Sequence, residues 1–425
     1  MSNYTKVFFA IVVSLLMASP ALADYKLNGY FRTQMITQNT GNTIQKDSKS
    51  NSMVDNRLRM KFQDNLNEYV HFVYYAEVDT DWGLASKGEI GGGGRAGADG
   101  VNVETKNVYL DVKIPNTALS TRIGVQTFHD NEGGIVLYDD QAGIRGDFSL
   151  AATNVTLAYF KKDEGSLSAW DDNDFYAVQL SQKYGDFAKA GLDFYDNNDQ
   201  TDAIQANAWW AGLHGDYKFG IFGLQGFFLY NHHNATAAGD QSGNAWAATV
   251  KGNMLIPNGH MGLRLIYMNA DDSSDHDNTF AFFQRGQGGF EFYDENSQIF
   301  LSDIYYTDGA GGRHGLNDAA YAGYGLMAIA YSGQYNVPAP PLPGLYLKWG
   351  AGYYSAVKKD PNGLVAKDGT SLGFEVDGQV GMKVAEKVDL SLRGAYGFLG
   401  NFYKNAAGQS PDDLYTAVLM VNVPY

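Results

Sequence analysis

The sequence predicts an all-β protein, a transmembrane antiparallel β-barrel of about 18 strands. Apolar and polar side chains alternate along many consecutive segments, short and long connections take turns between those segments, and the composition is rich in aromatic residues and glycine. Alternation is decisive, because a strand points successive side chains to opposite faces and a barrel in lipid needs one face for hydrocarbon and one for water. Aromatics make up 14% of the 425 residues, with 29 Tyr and 24 Phe beside 50 Gly and only 10 Pro. Such a composition suits strands flanked by girdles of interfacial rings.

Residues 1–23 read as a secretory signal peptide. Lys6 precedes an apolar run over 7–17 and a small-residue stretch over 18–23, with cleavage expected after Ala23. The run is shorter than the roughly 20 residues of a membrane helix, and no later stretch comes closer. The mature chain, 24–425, is therefore expected to form a single barrel domain. Without Lys6 it carries 30 basic and 47 acidic residues, a formal charge of -17. That acidity argues against nucleic acid as a partner, which would need clustered Lys and Arg. The chain has no Cys, which excludes a disulfide framework, thiolate metal sites and haem attachment through Cys-x-x-Cys-His. No cofactor is expected.

Leu58, Met60 and Phe62 alternate with Arg57, Arg59 and Lys61; Val70, Phe72, Tyr74, Ala76 and Val78 alternate with Tyr69, His71, Tyr75 and Glu77. Val108, Leu110, Val112 and Ile114 do so with Tyr109, Asp111 and Lys113. Near the end, Leu372, Phe374, Val376, Val380, Met382 and Val384 face one way and Glu375, Asp377, Gln379 and Lys383 the other. After the short connection 385–387, Val388, Leu390, Leu392, Tyr396 and Phe398 alternate with Asp389, Ser391 and Arg393. Soluble sandwiches alternate too, but their strands are shorter and their solvated face lies outside. Short connections are expected near 64–67, 115–118, 149–153, 184–186, 217–220, 257–259, 336–344 and 385–387. Long polar or glycine-rich ones fall near 38–52, 81–100, 130–140, 162–173, 196–203, 231–244, 270–319, 357–370 and 400–412. These seventeen connections join 18 strands, with both ends on the periplasmic side. Segment 298–306 reads either as an arm within a large loop or as a further strand, so 16–18 strands fit the pattern.

The last segment, 414–425, turns Tyr415, Ala417, Leu419, Val421, Val423 and Tyr425 outward and finishes on an aromatic. Here the chain resembles Gram-negative outer-membrane porins, whose last strand ends in an aromatic residue read by the assembly machinery. Tyr425 stands in place of the usual Phe, and Pro424 precedes it. The run Asn56, Arg57, Leu58, Arg59, Met60, Lys61 and Phe62, the stretch 74–83, and 122–126 with Gly143 after it are similar to the start of alginate-export-type porins. The resemblance covers the mature chain as architecture. It implies a water-filled channel in the bacterial outer membrane for passive diffusion of small polar solutes or ions, non-enzymatic and in contact with lipid and lipopolysaccharide. Homotrimer and monomer both remain open. The runner-up is a structural or partner-binding barrel, either a sheath for an electron-transfer protein or a surface adhesin. A plugged, energy-coupled transporter is disfavoured because the first strand starts at Tyr25.

Arg57, Arg59, Lys61, Arg122, Arg145, Arg264 and Arg393 fall on inward positions and are candidate pore-lining residues, though each can equally serve to satisfy neighbours in a wet wall. Connection 130–140 carries an apolar patch at 135–137 that an exposed loop would not favour. It is a candidate constriction loop, with Glu132, Asp139 and Asp140 opposing the basic strip in a transverse field; the alternative is contact with a neighbouring subunit or lipopolysaccharide. Other motifs are weaker. Residues 91–94 lack the Lys and Ser/Thr of a phosphate loop. Stretch 271–277 spaces oxygens, but Phe282 stands where a calcium loop needs Glu, so a surface calcium or lipopolysaccharide-bridging site would need oxygens converging in space. No metal is assigned. His232 and His233, in loop-like surroundings, point apart on any strand and offer no catalytic pair.

Overall fold

A sheet with one apolar and one polar face is stable where each face meets its own solvent, and in the computed structural model the sheet meets that demand by closing on itself. The structure describes residues 24–39, 50–84, 94–96, 101, 103–165, 171–201, 206–235, 241–270, 297, 299–300, 324–338, 342, 344–359, 369–404 and 408–425. The first nine strands are β1 (Asp24–Gln38), β2 (Asn51–Asn65), β3 (Val70–Asp81), β4 (Glu104–Lys113), β5 (Leu119–His129), β6 (Tyr138–Leu150), β7 (Thr153–Asp163), β8 (Asn173–Tyr184) and β9 (Ala188–Asp199). The other nine are β10 (Ala206–Phe219), β11 (Phe222–Ala235), β12 (Gln241–Ile256), β13 (Gly259–Met268), β14 (Leu326–Asn336), β15 (Tyr346–Ser355), β16 (Ser371–Ala385), β17 (Val388–Leu399) and β18 (Leu414–Pro424). Each pairs antiparallel with its sequence neighbours, and β1 also pairs with β18. Closure leaves no edge whose N–H and C=O groups would stand unsatisfied in hydrocarbon.

The eight short connections fall where the alternation stops. Asn258, with φ 61°, makes the tight turn between β12 and β13 in a left-handed conformation that Asn tolerates. Of segment 298–306 only Ile299 and Phe300 are described, and they form a bend. Residues 1–23, 91–93 and 271–277 lie outside the described residues.

Outward positions are large and apolar, as at Leu157 and Leu192, which are 57% and 55% exposed. The alternation fails at Leu372, which is buried rather than outward. Ser371 pairs with Ser355 and Gly373 with Tyr354, leaving Leu372 without a partner on β15. This bulge, with Gly373 at φ 140°, turns its side chain inward.

Gly124 and Gly143 face each other across β5 and β6. Gln126 lies over them, its amide donating to the carbonyls of Arg122 and Gly143 at 3.3 Å. A Cβ at Gly143 would sit 2.1 Å from the Tyr159 carbonyl oxygen. Gly143→Ala is therefore expected to destabilise the barrel by about 1–3 kcal/mol of overpacking. Thermal denaturation followed by heat-modifiable gel mobility measures this, and an unmoved midpoint would mean that the sheet yields.

The seam between β1 and β18 is finished by Tyr425. Its N–H donates to the Gly29 carbonyl at 3.0 Å and its carbonyl accepts from the Gly29 N–H at 3.2 Å. The Tyr425 hydroxyl donates to the Arg59 carbonyl at 2.8 Å, and a Cβ at Gly29 would meet that hydroxyl at 2.8 Å.

Candidate functional site: a charged wall and an inward loop

The connection between β5 and β6 folds into the barrel. Ile135, Val136 and Leu137 are buried and pack with Phe128, Phe160, Phe175 and Trp210 on the inner face. Each such side chain contributes roughly 1.5–3 kcal/mol. Ala158, Ala177, Ala208 and Ala247, also buried there, leave the room. One carboxylate organises the loop backbone. Asp130 Oδ1 accepts the N–H groups of Glu132 at 2.9 Å and Gly134 at 2.8 Å, and Oδ2 those of Val136 at 2.7 Å and Leu137 at 2.8 Å. Gly133 and Gly134, at φ 79° and 83°, make the left-handed turn inside it.

Glu132 carries the loop to β9 and β10. Its Oε2 accepts from the Tyr195 hydroxyl at 2.7 Å, while Oε1 is buried without a hydrogen-bond donor. Beside it, Asp193 Oδ1 accepts from Asn131 Nδ2 at 2.8 Å, and Asp193 Oδ2 meets His214 Nδ1 at 2.5 Å. Burial pushes the Glu132 carboxyl well above the usual carboxylate range, and the charges of Asp130 and Asp193 push it the same way. Gly212 admits the carboxyl, since a Cβ there would lie 2.3 Å from Glu132 Oε1.

Asp139 and Asp140, expected in the loop, lie instead on β6, because the β5–β6 ladder continues up to His129 and Tyr138. Asp140 is held by Lys106 Nζ at 2.6 Å, Asn107 Nδ2 at 2.7 Å and the Thr127 hydroxyl at 2.5 Å. Glu132 is turned into the wall. Loop acids thus do not face the basic strip across open space, because the apolar patch must reach the wall and carries its neighbours with it.

The basic strip is one half of a ladder of ion pairs. Arg57 binds Asp79 through two bonds of 2.7 and 2.6 Å and lies 3.6 Å from Glu77, which also pairs with Arg59. Arg122 binds Asp111 at 2.6 and 3.0 Å with its guanidinium 4.1 Å from the Tyr109 ring centre, and Arg145 binds Asp147 at 2.8 Å. Lys61 stands opposite Tyr75 and Asn28. These five residues share the wall from β2 to β6. Arg393, on β17 opposite Gln379, lies three strands from β2 across the β1–β18 seam, whereas Arg264, on β13 opposite Lys251, stands apart from them. Arg264 and Lys251 line a cavity of about 260 Å³ at the loop's foot, together with Glu132, Lys189 and His214.

Glu77, Asp79 and Asp111 were missed as partners, although counting outward from the turn after β2 pairs Arg59 with Glu77 and Arg57 with Asp79. Asp193, Tyr195 and His214 had no local signal. His232 and His233 lie on β11 rather than in a loop, and His232 Nδ1 sits 2.9 Å from Asn244 Oδ1. Adjacent positions on that strand face opposite sides and make no catalytic pair.

No family model matches the chain, and no curated protein matches it in sequence. In fold it is similar to the outer membrane protein opdK from Pseudomonas aeruginosa, with a TM-score of 0.61 and 13% identity over 95% of this chain and 98% of that one. OccAB1 from Acinetobacter baumannii gives 0.60 and 13% over 95% and 96%. A BenF-like porin from Pseudomonas fluorescens Pf-5 gives 0.56 and 11% over 94% and 98%. The closed 18-stranded barrel has the fold of these outer-membrane porins.

Proposed function

We propose that the chain is a Gram-negative outer-membrane porin, a non-catalytic water-filled channel through which small polar or charged solutes diffuse passively. The ion-pair ladder on the inside of a closed, outwardly apolar barrel carries this reading. In a dry core such pairs repay their desolvation poorly, whereas in a wet lumen they set the local field. The fold supports the same reading, and opdK, one of the similar structures, was crystallised with vanillate. In this reading Arg57, Arg59, Lys61, Arg122, Arg145 and Arg393 line the path, and Arg264 stands at the loop's foot. The loop bearing Glu132, rooted beside Asp139 and Asp140, narrows it.

Planar-bilayer recording tests the proposal, which expects stable, ohmic conductance steps. Replacing Arg57, Arg59 and Lys61 together by neutral residues removes three positive charges and leaves Asp79 and Glu77 on the wall, so the reversal potential is expected to shift toward cations. An unmoved potential would remove these residues from selectivity. A silent barrel that copurifies with a protein partner would overturn the porin reading in favour of a sheath.

A further inference from the structure

We propose that Glu132, Asp193 and His214 form a divalent-metal site of the zinc type that fastens the loop at 130–137 to the barrel wall. The three side chains come from the loop, β9 and β10, and one ligand atom of each lies within 4.8 Å of the others. An ion with bonds of about 2.0–2.2 Å to imidazole nitrogen and carboxylate oxygen draws such a set together.

Glu132 itself points to a ligand. Its Oε1 is shielded from water and meets no N–H or O–H donor of another residue, while the Asp193 carboxyl lies within reach of it, a juxtaposition that a shared proton or a metal ion relieves. Two carboxyl groups, Glu132 and Asp193, gather there with one imidazole, while Asp130 is occupied by the loop's own N–H groups. Two carboxylates and an imidazole suit a zinc-type ion better than calcium, which takes six to eight oxygens. Asn131 holds Asp193, and the Ser181 hydroxyl sits 3.2 Å from His214 Nε2, the outer hydrogen bonds that orient metal ligands. The neighbouring cavity is lined by Glu132 and His214, two of the three ligands. It also carries Lys189, Lys251 and Arg264, so affinity must come from direct ligation rather than long-range attraction. Sequence motifs are silent on this site because its ligands stand at 132, 193 and 214.

Carboxylate and imidazole ligands bind a metal ion in their deprotonated forms, so binding weakens as pH falls. Titrating ZnCl2 into the full-length barrel in detergent, followed by calorimetry, is expected to give one ion per chain at neutral pH and weaker binding at mildly acidic pH. Glu132→Gln and His214→Asn are each expected to weaken binding by at least about tenfold, the loss that even an outer-shell partner causes. Heat-modifiable gel mobility checks that each variant is folded. If His214→Asn does not fold, Glu132→Gln decides, since it keeps the side chain's volume. No saturable zinc binding to the wild type, or equal binding by the wild type and Glu132→Gln, would overturn the site. Binding is read without conductance, so this inference stands or falls separately from the porin reading.

Discussion

Asp130→Ala is expected to give larger, noisier single-channel steps with little change in the barrel's unfolding temperature. Its carboxylate is the acceptor for the N–H groups of Glu132, Gly134, Val136 and Leu137, all buried within the loop. A buried N–H left without an acceptor costs about 1–3 kcal/mol, so four of them cost at least ~4 kcal/mol. Burial of Ile135, Val136 and Leu137, at roughly 1.5–3 kcal/mol each, then no longer holds the loop in one conformation. The cost falls on the loop, because the β5–β6 ladder below it is carried by eleven residue pairs of its own. Asp130→Asn, which keeps one acceptor oxygen, is expected to lie between. Steps identical to wild type in Asp130→Ala would show that apolar packing alone fixes the loop.

Glu375→Gln is expected to release a second inward segment. On β16 the fully buried Glu375 carboxylate accepts from the Ser297 hydroxyl at 3.0 Å and from the N–H groups of Ile299 and Phe300 at 2.8 Å each. Phe300 packs against Tyr354 with ring centres 5.0 Å apart. Glutamine keeps the volume but turns one acceptor oxygen into an NH2 that faces donors, and hydrogen bonds to charged groups are worth about 1.5–3 kcal/mol each. A loss of about 3 kcal/mol raises the open fraction roughly a hundredfold. The chain contains no cysteine, so Ser297→Cys gives a single thiol. It is expected to be protected from a water-soluble thiol reagent in the parent and labelled in the Glu375→Gln background. Equal labelling in both would mean that Glu375 does not hold this segment.

The barrel was legible because its periodicity is local. Arg57 to Phe62 and Val388 to Phe398 each declare two faces within a few residues, and each turn is adjacent to the strands it joins. Ion pairing was half legible: the bases were visible, and their acids needed only the hairpin register. The inward loop was announced by its apolar patch, but not its seat. That seat lies on strands some 60 to 80 residues away, where Asp193, Tyr195 and Gly212 carry no pattern of their own. One sign was present: Phe175, Tyr176, Ala177 and Val178 are apolar on both faces, which a lumen filled only with water does not require. Leu372 escaped because a bulge changes facing without changing composition.

The clasp of Tyr425 on Gly29 bears on the order in which the ring is assembled. Among the described residues, seventeen of the eighteen ladders join strands adjacent in sequence, and only β1 with β18 joins strands separated by nearly the whole barrel. Hairpins can be added one after another at small entropic cost, while the seam must wait for both ends to meet. That seam has nine residue pairs against fifteen between β1 and β2. The seam is the ladder that closes the ring last, and the tyrosine ring over a bare glycine is its fastening.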